Sequence, residues 1–215
     1  MINQGFEEIS LIKLLASGGP FMWPILLCSV IALAISLEKL LYLRTIENGL
    51  TELKSAVFDF IRNNNIKAAI AYCDSNPSPA AKILLSGLSK FGSTKEEIKD
   101  SMEEASSFEI PILESRLNAL STISHVCPLL GLLGTVSGML KCFRIIQLKS
   151  TALNPLIPSD LAGGLFESLI STLVGLIVSI PVFIAYNYFA SRIRHLVSKM
   201  ESAASQMCNL LRGLD

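Results

Sequence analysis

Three stretches without a single Asp, Glu, Lys or Arg divide the chain: Leu14–Leu37, Leu117–Leu140 and Ser168–Ser191, each of 24 residues. As helices they would be about 36 Å long, enough to cross a hydrocarbon core of about 30 Å with some tilt. The first is the most apolar, through Phe21, Trp23, Ile25, Leu26, Leu27, Val30, Ile31, Leu33 and Ile35. A cleaved signal peptide is the competing reading, because Ala32-Leu33-Ala34 imitates a cleavage site. The acidic Glu7 and Glu8 ahead of it, with only Lys13 in compensation, and the apolar run continuing to Leu43 argue for a retained span. The expected fold is all-α: a polytopic membrane protein with three transmembrane helices whose long helices extend into a helical cytoplasmic domain.

Between the first two spans the pattern changes to that of a water-exposed helical domain. Leu40, Leu43, Leu50, Leu53, Val57 and Phe58 recur at roughly helical spacing, which carries the first helix well past the membrane. Asn63-Asn64-Asn65 is a stop signal, Ile66 to Cys73 reads as a short helix, and Asn76-Pro77-Ser78-Pro79 as a turn. A second short helix carries Leu84, Leu85 and Leu88 and ends at Phe91-Gly92. Ser93 with Glu96 matches an S-x-x-E capping box, so a helix starts there and is expected to run into the second span, with Pro111 as a kink. Phe6, Ile9, Ile12 and Leu15 or Ala16 share one face of an N-terminal segment that suits either an interfacial helix or a poorly ordered terminus. The expected divisions are 1–19, an N-terminal periplasmic or interfacial segment; 20–43, the first span; 44–116, a cytoplasmic helical domain; 117–148, the second span; 149–160, a periplasmic loop; 161–191, the third span; and 192–215, a cytoplasmic C-terminal helix.

Composition narrows the function classes. The chain has 215 residues, 51% hydrophobic and only 17% charged, with 18 basic residues balanced by 18 acidic ones. That balance leaves no bulk field for nucleic acid. Five scattered cysteines and two histidines form neither a disulfide framework nor a zinc signature, so no cofactor and no metal is expected. No G-x-S-x-G, P-loop or H-E-x-x-H motif occurs, and an enzyme is not expected. Lys39, Arg44, Lys54, Lys99, Arg116, Arg192, Arg194 and Lys199 flank the spans on one side against Lys13, Lys141, Arg144 and Lys149 on the other. Basic residues concentrate on the cytoplasmic side, so the N-terminus is expected outside and the C-terminus inside.

The spans carry more than apolar bulk. Gly131, Gly134 and Gly138 follow i, i+3, i+7 spacing and form one face where another backbone can approach, a helix-packing role shared with Gly175. Thr135 and Ser137 put hydroxyls beside it, and the third span carries Gly164, Ser168, Ser171, Thr172 and Ser179. Glu167 is the only carboxylate between Leu161 and Ser191. An ion at the bilayer centre costs roughly 2.5–3.5 kcal/mol on insertion scales, so such a residue finds a partner, faces a wet cavity or snorkels to the interface. Gly164, Ser171 and Gly175 lie at i−3, i+4 and i+8 from Glu167, which places the carboxylate on the small-residue side and favours a polar path between subunits. Pro128 and Pro181 free the carbonyls of Ser124 and Ile177. His125 reads either as a buried, hydrogen-bonded residue or as a proton relay. Lys141, Arg144 and Lys149 read as anchors of the outer end of the second span, and Glu38 and Lys39 of the inner end of the first.

These residues resemble the ExbB/TolQ type of proton-channel subunit, more distantly MotA. The likeness rests on Gly18-Gly19-Pro20, Met22-Trp23-Pro24-Ile25 and Glu38-Lys39; on Pro128 to Val136; and on Glu167 to Leu176 followed by Ile180-Pro181 and Tyr186-Asn187. The resemblance implies a pentameric homo-oligomeric ring in the bacterial inner membrane around a dimer of a single-span ExbD/TolR-type partner, with a TonB- or TolA-like periplasm-spanning protein beyond it. It further implies Thr135 and Thr172 as pore hydroxyls, Glu167 as the ionisable group near the proton path, and Ser168 and Ser171 beside it. Ser137 stands where the family often has an aromatic residue. A non-conducting membrane scaffold is the alternative function. A small-molecule transporter is disfavoured, because neither an inverted repeat nor a broken-helix pair is visible.

Overall fold

A computed structural model describes residues 18–150 and 157–212, and every element among them is a helix. The helices are α1 (Met22–Arg62), α2 (Ile66–Asp74), α3 (Pro79–Ser89), α4 (Lys95–Glu114), α5 (Leu117–Ser150) and α6 (Pro158–Arg212). Three stretches are long and apolar enough to cross a membrane, one in each of α1, α5 and α6. The expected interfacial helix over 6–16 lies outside the described residues.

The chain divides into two compact units, and α1 and α6 each contribute to both. One unit holds Leu37–Asn118 and Asn187–Asp215. In it α1 buries Leu43, Ile46, Leu50, Leu53 and Val57, and α6 buries Phe189, Ile193, Leu196, Met200, Ala203 and Met207. Both sets alternate steps of three and four, the narrow stripe that helices present when they run side by side over several turns. Glu47 of α1 ties the two stripes by pairing with Arg192 and Lys199, which lie seven residues apart on α6. The short helices α2 and α3 are capped by Asn65, whose side chain accepts from Ala68 N, and Ser78, which accepts from Ala81 N.

Two local expectations need correction. The cap of α4 is Thr94, whose hydroxyl accepts from Glu97 N, one residue beyond the Ser93–Glu96 box. Ser93 is still in the preceding turn, where its N–H donates to Lys90 O. Nor does α4 run into α5: the chain breaks at Ser115-Arg116, with Arg116 in the left-handed region at φ 66°. Pro111 lies inside α4 and does not mark the break. Two consecutive α1 residues hold this break. Arg116 donates to the Glu38 carboxylate, and Lys39, only 3% exposed, donates to the Leu113 carbonyl at 2.9 Å. Leu113 belongs to the last turn of α4, where carbonyls have no helical partner, so Lys39 acts as a helix cap.

Glycines at two positions make a clean comparison. Gly92 sits at φ +85° with open space around it, so Gly92→Ala meets only backbone strain and should cost about 1–2 kcal/mol. Gly49 lies inside α1, also in open space, and there alanine should stabilise by up to about 1 kcal/mol. Thermal unfolding of the two variants should therefore move in opposite directions. Burial pushes the Cys73 thiol from its ordinary 9.0 to about 11. The unfolded chain releases that proton near 9 while the folded chain retains it, so stability should decline as pH rises across that window. At neutral pH Cys73 should alkylate far more slowly in folded than in urea-unfolded protein, a difference read by mass spectrometry.

Candidate functional site: the α5–α6 seam

The other unit holds Met1–Ser36 and Ala119–Tyr186, of which residues 18 onward are described, apart from 151–156. Its centre is a close antiparallel approach of α5 and α6, set by residues with almost no side chain. A Cβ on Gly175 would lie 2.7 Å from the Cys127 carbonyl, one on Gly131 would lie 3.0 Å from the Thr172 Cα, and one on Gly138 would lie 2.6 Å from the Gly164 carbonyl. Reciprocally, a Cβ on Gly164 would meet Cys142 Sγ at 2.6 Å. The i, i+3, i+7 glycines of α5 thus face Gly164, Ser168, Ser171 and Gly175 of α6. Without a hydrophobic driving force between helices in lipid, such backbone contact is a main source of association.

The hydroxyls fall into two groups. Ser168 and Ser171 are buried inside the seam in the single chain. Ser168 donates to Leu165 O at 2.7 Å. Ser171, 0% exposed, sits 2.7 Å from the Gly18 carbonyl and 2.9 Å from the Glu167 carbonyl, sharing one proton between them. Thr135 and Thr172 are half-buried at its edge. Thr135 donates within α5 to Leu132 O at 2.6 Å, and Thr172 donates across the seam to Gly131 O at 3.1 Å. Beyond them the helices present apolar side chains outward, among them Leu132, Leu133, Val136, Leu169 and Leu173.

Glu167 is not a lone acid. Its Oε1 is 2.6 Å from Lys141 Nζ, and the carboxylate side chain is 19% exposed against 49% for the lysine. Gly19, at φ +73°, backs directly onto the same carboxylate, leaving no room there for a Cβ. Asp160, in the first turn of α6, has its own partner in Lys149 and also accepts from Ile157 N. The pairing of Lys141 with Glu167 escaped the sequence because the two are 26 residues apart on different helices, and only the register of the seam brings them together. The visible signal was opposite charges bordering two charge-free windows, Lys141 just after the second and Glu167 just before the third. His125 is exposed rather than buried, and it is hydrogen-bonded: its Nδ1 lies 2.7 Å from Ser121 O. A carbonyl only accepts, so that nitrogen carries the proton, and the ring meets Phe183 edge-on.

Comparison with known proteins converges on these helices. The chain is 35% identical over 177 residues to ExbB-like 3 of Synechocystis sp., covering 81% of this chain and 82% of that protein. It is 28% identical over 193 residues to the ExbB homolog of Methanothermobacter thermautotrophicus, covering 89% and 67%. It is 30% identical over 151 residues to the Tol-Pal system protein TolQ of Pseudomonas aeruginosa, covering 64% of each. The family model described as the MotA/TolQ/ExbB proton channel family matches residues 75–202, a span that includes Thr135, Lys141, Glu167 and Thr172. With three membrane-length helices and a polar seam between two of them, the chain belongs to the MotA/TolQ/ExbB proton channel family.

Proposed function

We propose that the chain is the ring-forming channel subunit of an inner-membrane motor driven by the proton-motive force, working with an ExbD/TolR-type single-span partner. It would energise an envelope process of the TonB-dependent uptake or Tol-Pal kind. The observation that carries this reading is the polar line of Thr135, Thr172 and Glu167 along one seam of otherwise apolar, outward-facing helices. A charge crossing 100 mV releases about 2.3 kcal/mol, and only a screened protonatable path turns that into work. Hydroxyls orient water along such a path without a fixed charge that would trap the proton. In this reading Thr135, Thr172 and Glu167 border the path, and Ser168 and Ser171 stand behind Glu167. The N-terminus is periplasmic, the C-terminus cytoplasmic, and five copies surround a partner dimer.

The test is native mass spectrometry of the protein extracted from membranes after co-expression with its chromosomal neighbour. A five-subunit ring retaining a short single-span protein supports the reading, whereas a monomer or dimer without one refutes it. The glycine contacts favour a second reading, a scaffold whose small faces only pack helices. A scaffold tolerates loss of the seam hydroxyls, and a channel does not.

A further inference from the structure

We propose that Lys141 is a built-in cation that occupies the place of a mobile one at the Glu167 carboxylate, so that the site excludes sodium and potassium. This goes beyond the proton-path reading above and does not rest on it. The ammonium is 2.6 Å from Oε1, a charge-assisted contact as short as such bonds become. The carboxylate is four-fifths buried, so water solvates it poorly and a compensating charge must come from elsewhere. On one side Gly19 presses against it, and the adjoining Gly18 carbonyl is taken by the Ser171 hydroxyl. Lys149 is engaged with Asp160, so it does not share the duty. An acid in this setting with no tethered partner offers a partly dehydrated oxygen site, and any monovalent cation small enough to enter would neutralise it. Lys141 forecloses that option, which makes it a specificity-determining residue for what the site admits.

The experiment compares thermal unfolding of the purified full-length protein in detergent, in sodium chloride and in N-methylglucamine chloride at equal ionic strength. Wild type should melt at the same temperature in both. Lys141→Ala should melt lower in the bulky cation and regain about 2–4 °C in sodium, the shift a weakly bound ion produces in a chain of this size. Lys141→Arg, which keeps a tethered cation, should again be indifferent to the salt. Equal melting of Lys141→Ala in both salts overturns the proposal, and so does a sodium effect of the same size in wild type. Should Lys141→Ala yield no folded protein, the charge-exchanged pair Lys141→Glu with Glu167→Lys decides. It should fold and ignore the salt, and melting no better than Lys141→Glu alone overturns the proposal. None of these readouts requires proton flux or a partner, so the pair can stand if the motor reading falls, and the reverse.

Discussion

Gly134→Leu should sharply weaken the packing of α5 against α6 and lower the melting temperature of the protein extracted from membranes. Even a single Cβ at this position would fall onto the Ser171 side chain, with Oγ at 2.7 Å. Ser171 has nowhere to go, because it is fully buried and its hydroxyl is committed to the Gly18 and Glu167 carbonyls. Overpacking of a tight core costs typically about 1–3 kcal/mol for added methylenes, and an isobutyl group driven between two backbones belongs at or beyond the upper end. At about 2–4 °C per kcal/mol, the melting temperature should fall by roughly 6 °C or more. Thr135→Val is the matched control. Its hydroxyl bonds only within its own helix, to Leu132 O, so its loss should cost about 1 kcal/mol or less. If Gly134→Leu melts with wild type, the packing of this seam is misassigned.

The second large effect concerns work rather than stability. Glu167→Gln and Thr172→Val should each reduce proton-driven function at least about tenfold, a barrier change of about 1.4 kcal/mol, while the oligomer still assembles. For Thr172 the two parts separate on physical grounds. Its bond to Gly131 O is an interhelical hydrogen bond, and in membranes these average only about 0.6 kcal/mol, so the fold survives its loss. A hydroxyl lost from a proton path breaks the chain of donors and acceptors outright. Measuring energised uptake or envelope integrity in cells, with oligomer assembly scored on the same membranes, distinguishes the outcomes. Normal function in both variants removes these residues from the path and favours the scaffold.

Much of the fold was legible in the order of residues. Charge-free windows marked the three membrane-length helices, and the asparagine triplet and Phe91-Gly92 marked two helix ends, because left-handed backbone at Asn64 and Gly92 suits those residue types. The glycine spacing on α5 showed which face would be close-packed. The break at Ser115-Arg116 was not legible, since arginine carries no signal for a positive φ and the clamp on it comes from Glu38 and Lys39, more than seventy residues earlier. The α4 cap was misplaced by one residue because Ser93 and Thr94 both offer a hydroxyl three positions before a glutamate, and only the turn geometry chooses between them.

Sequence alone therefore determined the three membrane-length apolar windows and the small-residue faces of the spans, all of which follow from transfer energies and periodicity along one helix. The tertiary structure decided what each polar group meets. Ser168 and Ser171 are inside the seam while Thr135 and Thr172 edge it, and Glu167 pairs with Lys141. Those outcomes depend on the register between α5 and α6. Register is set by backbone contacts at Gly131, Gly138, Gly164 and Gly175, which no periodicity within a single helix encodes.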